Sequence, residues 1–184
     1  LTLRPNASGT ITQWTAVGAG TNWDCVDELV VNSDTDYVKA LAGSKRDSYG
    51  LTDHTTQTGT IASVSVAVYA KYYSVVGDDK LTIQLVIGGN TYNGTTTGAL
   101  TTAYKQYISQ WTTNPSTGLA WTWSDLDTLQ AGFESVLVGA SLTEIRVSQL
   151  EVGISAPGYT ANWQSVDDYT QNGDTDYVCT FLNN

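Results

Sequence analysis

Apolar and polar residues alternate one for one through "TIASVSVAVYAKYY", Thr60 to Tyr73. A period of two puts every second side chain on one face, the pattern of a β-strand with one face buried. The alternation recurs in "KLTIQLVIG" (Lys80 to Gly88), "YKQYISQW" (Tyr104 to Trp111) and "EIRVSQLEVGI" (Glu144 to Ile154). Turn signals stand between these runs: Gly77-Asp78-Asp79, Gly88-Gly89-Asn90, Asn93-Gly94 and Asn114-Pro115. Short strands at regular spacing with almost no helical periodicity predict an all-β fold, an antiparallel β-sandwich or jelly roll. One short helix is expected in "WSDLDTLQAG", with Ser124 as N-cap, Leu126 and Leu129 on one face and Gly132 at C′. Two turns cannot hold themselves, so packing against an open end of the sandwich must support them.

Composition narrows the setting. Charged residues make up 14% of the 184, against about 25% in an average soluble domain. Their place is taken by Thr, Ser, Asn, Gln and Gly, as in exported β-rich domains. A net charge of −10 argues against nucleic acid and anionic membrane surfaces as partners. No apolar run approaches the ~20 residues of a membrane span. The chain begins at Leu1 and contains no Met, so removal of a signal peptide and an extracellular or surface location are expected. Asn6-Ala7-Ser8 and Asn93-Gly94-Thr95 are formal N-glycosylation acceptors, which makes Asn6 and Asn93 candidate modification sites.

The chain also repeats itself. "NWDCVDELVVNSDTDYV" (Asn22 to Val38) returns as "NWQSVDDYTQNGDTDYV" (Asn162 to Val178), at an offset of 140 residues (163 − 23). Matches this dense at one offset indicate an internal duplication. Only six residues follow Val178, so the second copy is a fragment, not a second domain. The organisation predicted is a sandwich over residues 1–154, then a linker and a duplicated strand pair over 155–184, copied from about 12–40. Such a tail could lie back on its own domain. It could also occupy a strand-accepting edge on a second copy, and a head-to-tail contact that does not close makes a filament. Charge opposes that docking, because 155–184 carries Asp167, Asp168, Asp174 and Asp176 and no Lys or Arg.

"LRPNASG" (Leu3 to Gly9), "NWDCVDE", "DTDYV", "TTNPSTGLAWTWSDLDTLQAG" and "TEIRVSQLEV" occur in a familiar order. In them the chain resembles a β-sandwich module found, often in tandem, in prokaryotic extracellular and surface proteins and in phage-like structural proteins. The likeness runs over roughly Leu1 to Ile154, and the Trp-rich helix segment is its most specific part. It implies display or assembly, not catalysis, and brings no active-site residues with it.

Candidate chemistry is sparse. Cys25 lies in the first copy and Cys179 in the second, at non-matching positions. If each copy is an antiparallel hairpin centred near Asn32, positions 25 and 39 face each other, and Cys179 stands where Lys39 does. A Cys25–Cys179 disulfide would follow if the tail strand took the place beside the first strand. Two buried free thiols are the bland reading. Asn32-x-Asp34-x-Asp36 and Asn172-x-Asp174-x-Asp176 space oxygens as in the first part of a calcium loop, so Asp34, Asp36, Asp174 and Asp176 are candidate Ca²⁺ ligands. The glycine and distal Glu of the helical calcium loop are missing, and turn aspartates bonding their own backbone explain the pattern as well. The single histidine, His54, lacks neighbours for a metal site or a nucleophilic triad, and an enzyme is not expected.

Six tryptophans, at 14, 23, 111, 121, 123 and 163, and many tyrosines could instead supply a sugar-stacking platform. Solvent-facing rings in one groove would favour glycan binding, and rings buried between sheets a structural role. The first expectation is a self-associating subunit of an extracellular filament or surface assembly, joined through 155–184. A carbohydrate-binding module, or a virion-surface decoration or fibre domain, is the alternative.

Overall fold

A computed structural model gives the architecture; it describes residues 1–55, 57–73, 78–136 and 144–156, with the backbone of 164–165 and 178–179. The strands are β1 (Thr2–Leu3), β2 (Pro5–Thr12), β3 (Thr15–Val17), β4 (Tyr37–Ala40), β5 (Arg46–Leu51), β6 (Ser63–Tyr73) and β7 (Lys80–Ile87). They continue as β8 (Asn90–Thr96), β9 (Lys105–Trp111), β10 (Gln130–Val136), β11 (Glu144–Ser155), β12 (Gln164–Ser165) and β13 (Val178–Cys179). A 3-10 turn, Trp23–Cys25, and one helix, α1 (Trp123–Leu126), complete the described elements. The front sheet runs β3-β4-β11-β6-β9, with β1 also on β11, and the back sheet runs β2-β5-β10-β7-β8. Every pairing is antiparallel. From β4 to β7 each successive strand lies in the other sheet, which gives the jelly-roll sandwich predicted from the alternation.

The alternating runs bury what they should. On β6, Val64, Val66, Val68 and Ala70 point inward; on β7, Leu81, Ile83 and Leu85 do. β11 holds a finer device. Its inward residues are Ile145 and Val147, then Leu150, Val152 and Ile154, so the parity changes after Val147. The pairing with β6 slips between Val147 and Gln149, and this bulge absorbs Ser148 as an extra residue. Without that slip, half of the strand would turn its apolar set to solvent.

Where the chain crosses from β2 in the back sheet to β3 in the front, a buried carboxylate fastens the corner. Asp47 of β5 is 1% exposed. Its Oδ1 accepts from the backbone N–H of Gln13 (2.6 Å) and Trp14 (3.0 Å). Its Oδ2 accepts from Asn22 Nδ2 (2.7 Å) and the Tyr49 hydroxyl (2.9 Å). Burial pushes this carboxyl up from its ordinary value, and the four donors pull against that. Trp14, held here, stands edge-on to Phe133 with ring centroids 4.8 Å apart.

Two local expectations are corrected. α1 is shorter than expected, and its N-cap is Thr122, not Ser124. Asp125 Oδ2 accepts from the Thr122 backbone N–H and hydroxyl, both at 2.8 Å, so the Thr–Asp pair three apart outcompetes Ser124. Gly132 is no helix cap. It lies in β10, where a Cβ would come within 1.9 Å of the Asp47 carbonyl oxygen.

The hairpin expected of the first copy does not form. Trp23–Cys25 is a 3-10 turn, and Lys39 faces Thr15, not Cys25. In the tail the strand pair does form, with Gln164 facing Cys179 and Ser165 facing Val178, one residue from the expected register. The reason lies upstream. The first copy has Ala16 and Val17 to pair with Val38 and Tyr37. At the same offset the tail has Ala156 and Pro157, and proline has no N–H to give a ladder. Moreover Ser155, the counterpart of Thr15, already belongs to β11.

Replacing Asp47 with Ala should cost about 3 kcal/mol or more, since it strands several buried donors at once. Urea denaturation measures this; a loss below about 1 kcal/mol would mean that the corner is held by something else.

Candidate functional site

The outer face of the front sheet gathers the side chains that the core does not use. The register sets its rows. Arg146 of β11 lies between Lys39 and Lys71. Tyr69 of β6 lies between Gln149 and Gln106, Ala67 between Glu151 and Ile108, and Ser65 between Gly153 and Gln110. Gln106 and Gln110 are exposed, and Tyr69, Ser65 and Glu151 are half-buried. Ile108 is 55% exposed and Tyr73 60%, which places two bulky apolar groups in water on this face. Tyr69 and Tyr73, four residues apart on one strand, put two phenol rings on the face about 13 Å apart along the strand.

One end of the face is charged. Residues 26–36 form a loop beside it. The Val26 carbonyl accepts from Leu150 N–H at 2.8 Å. The Glu28 carbonyl accepts from Gln149 Nε2 (2.6 Å) and Arg4 Nη1 (2.7 Å). The loop then delivers Asp34, whose Oδ2 meets Lys71 Nζ at 2.6 Å and whose Oδ1 meets Arg146 Nη1 at 2.9 Å. The Tyr104 hydroxyl donates to Asp34 Oδ1 at 3.2 Å. Aromatic rings wrap both cations. Lys71 Nζ is 4.7 Å from the Tyr104 centroid, and Arg146 Cζ is 4.0 Å from that of Tyr73 and 4.4 Å from that of Tyr37. Burial raises the Asp34 pKa, but the bonds from Lys71 and Arg146 outweigh it and hold the carboxyl below its ordinary value. Burial, then the Asp34 charge, pushes the Tyr104 phenol well up.

The sequence-predicted residues fall as follows. Asp34 and Asp36 are not brought together as ligands: Asp34 takes the two cations, and Asp36 Oδ1 accepts from Asn32 Nδ2 at 2.5 Å. Among the described residues no group of three or more His, Cys, Asp or Glu is disposed around a metal ion. Asp174 and Asp176 lie outside the described residues. Cys25 is a buried thiol with Sγ 3.8 Å from the Val17 carbonyl oxygen, and burial raises its pKa. The Cys179 side chain lies outside the described residues. Asn6 and Asn93 are exposed on β2 and β8. His54 joins its loop to α1, with Nε2 3.1 Å from the Trp123 carbonyl oxygen and 3.0 Å from Asp127 Oδ1.

Among the described residues the tryptophans do not form an exposed platform. Trp14 and Trp121 are buried, and Trp23, Trp111 and Trp123 pack partly buried against the core. Trp163 lies outside the described residues. The rings on the open face are tyrosines. Their gathering was hidden because Tyr69, Tyr73 and Tyr104 are brought to one face only by a register that joins strands far apart in sequence.

No family model and no curated protein matches the chain. Solved structures are similar to the chain at low identity and with TM-scores below 0.5. One described as "CBM4 structure and function" is 13% identical with a TM-score of 0.43, covering 78% of this chain and 95% of its own. The CBM22-1 xylan-binding domain of Paenibacillus barcinonensis Xyn10C is 16% identical with a TM-score of 0.41, covering 83% and 92%. The enzymatically active domain of the bacteriophage CBA120 tailspike protein 4 is 11% identical with a TM-score of 0.42, covering 83% of this chain and 19% of its own. Likenesses of that size leave function to be read from this chain's own side chains. No described helix is long and apolar enough to cross a membrane.

Glu28 sets a pH dependence on the loop. Its Oε1 accepts from Asn32 Nδ2 at 3.0 Å, and its Oε2 is buried without a hydrogen bond. Burial, then Asp36, then the nearby Asp27, raise its pKa from 4.5 to about 8. The folded state therefore holds this proton where the unfolded chain has lost it. The contribution is favourable at low pH and is lost as pH rises from 4.5 to about 8. Glu28→Gln should accordingly become more stable relative to the parent between pH 5 and pH 9, as read by urea midpoints. A difference independent of pH would contradict the assignment.

Proposed function

We propose that this domain is a carbohydrate-binding module whose ligand lies across the outer face of the front sheet, along β11, β6 and β9. The observation that carries the reading is the face itself: exposed tyrosine and amide side chains on adjacent strands, next to a cation pair in an aromatic setting. Sugars present both C–H faces and hydroxyl edges. Tyr69 and Tyr73 offer ring faces for the first, and Gln106, Gln110 and Glu151 offer bidentate partners for the second. Secretion and a non-catalytic role belong to the same reading, as does any pairing of Cys25 with Cys179.

Assembly through 155–184 has less support. That role rests on the duplicated sequence. Duplicated sequence alone does not make a connector.

Tyr69→Ala and Gln106→Ala should each weaken glycan binding about tenfold or more, equivalent to about 1.4 kcal/mol. Their melting temperatures should stay near that of the parent, because neither side chain enters the core. A glycan array followed by titration calorimetry gives the readout. Unaltered affinity in both variants, or no glycan bound by the parent, would refute the proposal.

A further inference from the structure

We infer that the glycan is acidic, and that Lys71, Arg146 and the Tyr104 hydroxyl form a carboxylate subsite which the loop's own Asp34 fills until a uronic acid takes its place. This rests on the reading of the front sheet as the glycan face, and names the class of sugar. Three observations lead to it.

First, the chain places its few cations unevenly. It has eight Lys and Arg and a net charge of −10, yet Arg4, Lys39, Lys71 and Arg146 all attach to this one face. An acidic protein that collects half of its positive charge on one surface is disposed to attract an anion there.

Second, the charge on the sheet is left incomplete. Glu144, itself on β11, meets Lys39 Nζ at 3.4 Å and Arg146 Nε at 2.5 Å. Glu151 meets Arg4 Nη2 at 3.3 Å. Of the three cations at the upper end, Glu144 neutralises one, and no other sheet-borne carboxylate pairs with Lys71 among the described residues. The second negative charge arrives on a loop, as Asp34.

Third, the geometry is that of a receptor for a carboxylate. Two cationic donors and a phenol converge on one Asp34 group at 2.6, 2.9 and 3.2 Å. The receptor is buried and the guest is not: the side chains of Lys71 and Arg146 are 9% and 12% exposed, while that of Asp34 is 48% exposed. The loop's ties at Val26 and Glu28 do not involve Asp34, so its side chain can leave without breaking them. A uronate's carboxylate would inherit the same donors, with its ring beside Tyr73 and Tyr104.

The experiment titrates the full chain with trigalacturonate, its methyl ester and the neutral glycans bound by the parent. Asp34→Asn keeps the shape and removes the competing charge. It should raise trigalacturonate affinity about tenfold, and raise it by more than the affinity for the methyl ester. Lys71→Gln, checked for folding by thermal melting, should abolish trigalacturonate binding. Parent affinity should fall with added salt. Neutral binding without any preference for trigalacturonate over its ester, or no gain in Asp34→Asn, overturns the subsite but leaves the glycan face standing. Absence of binding to every glycan overturns both.

Discussion

The sandwich depends on a buried carboxylate that, among the described residues, is met by neutral donors and by no cation. Asp47 sits in the back sheet and holds the chain at the point where it passes to the front, through Gln13, Trp14 and Asn22. A buried charge of this kind is tolerated only when its acceptor sites are filled, and here they are filled from three separate segments. The Trp14–Phe133–Tyr49 packing follows from it, because Trp14 is positioned by its backbone bond and Tyr49 by its hydroxyl. The 3-10 turn at Trp23–Cys25 then begins from Asn22, and the loop that carries Asp34 begins from that turn. The outer face of the front sheet is thus reached from the corner by a short continuous path.

What the sequence made legible was the set of strands with strong alternation: β6, β7, β9 and β11 were all visible, and with them the sandwich. The bulge in β11 left a mark too, in the three-residue step from Val147 to Leu150, which a reading for strict alternation passes over. Short strands such as β3 and β4 left none, because three or four residues cannot display a period. The duplicated segments show the deeper limit. Their likeness predicts a shared conformation, but strand pairing is decided by partners, and the partners differ at Val17 and Pro157. Asp47 was equally hidden, since three of the five residues in "KRDSY" are charged and nothing local marks one of them as buried.

The candidate face was legible only in its ingredients. Tyr69, Lys71 and Tyr73 fall on the outward parity of β6, and Arg146 on that of β11, so their exposure to one side followed from the alternation. Their convergence did not, because it depends on antiparallel register between strands some 75 residues apart in sequence, as with Lys71 and Arg146. The aspartates spaced as in a calcium loop drew attention to this loop by their local spacing alone. Asp34 matters for the cations it meets across the sheet, and local spacing carries no trace of them.

The outermost pairing has a consequence for architecture on a larger scale. β1 lies against the end of β11, and the Leu1 ammonium donates to the Ile154 carbonyl at 3.2 Å. Leu1 and Ile154 therefore lie side by side at one pole of the sandwich. Sandwiches joined through these two strand ends would each be entered and left at the same pole, and would hang like pendants from a cord. It also means that a host protein could accept the whole sandwich within a single surface loop.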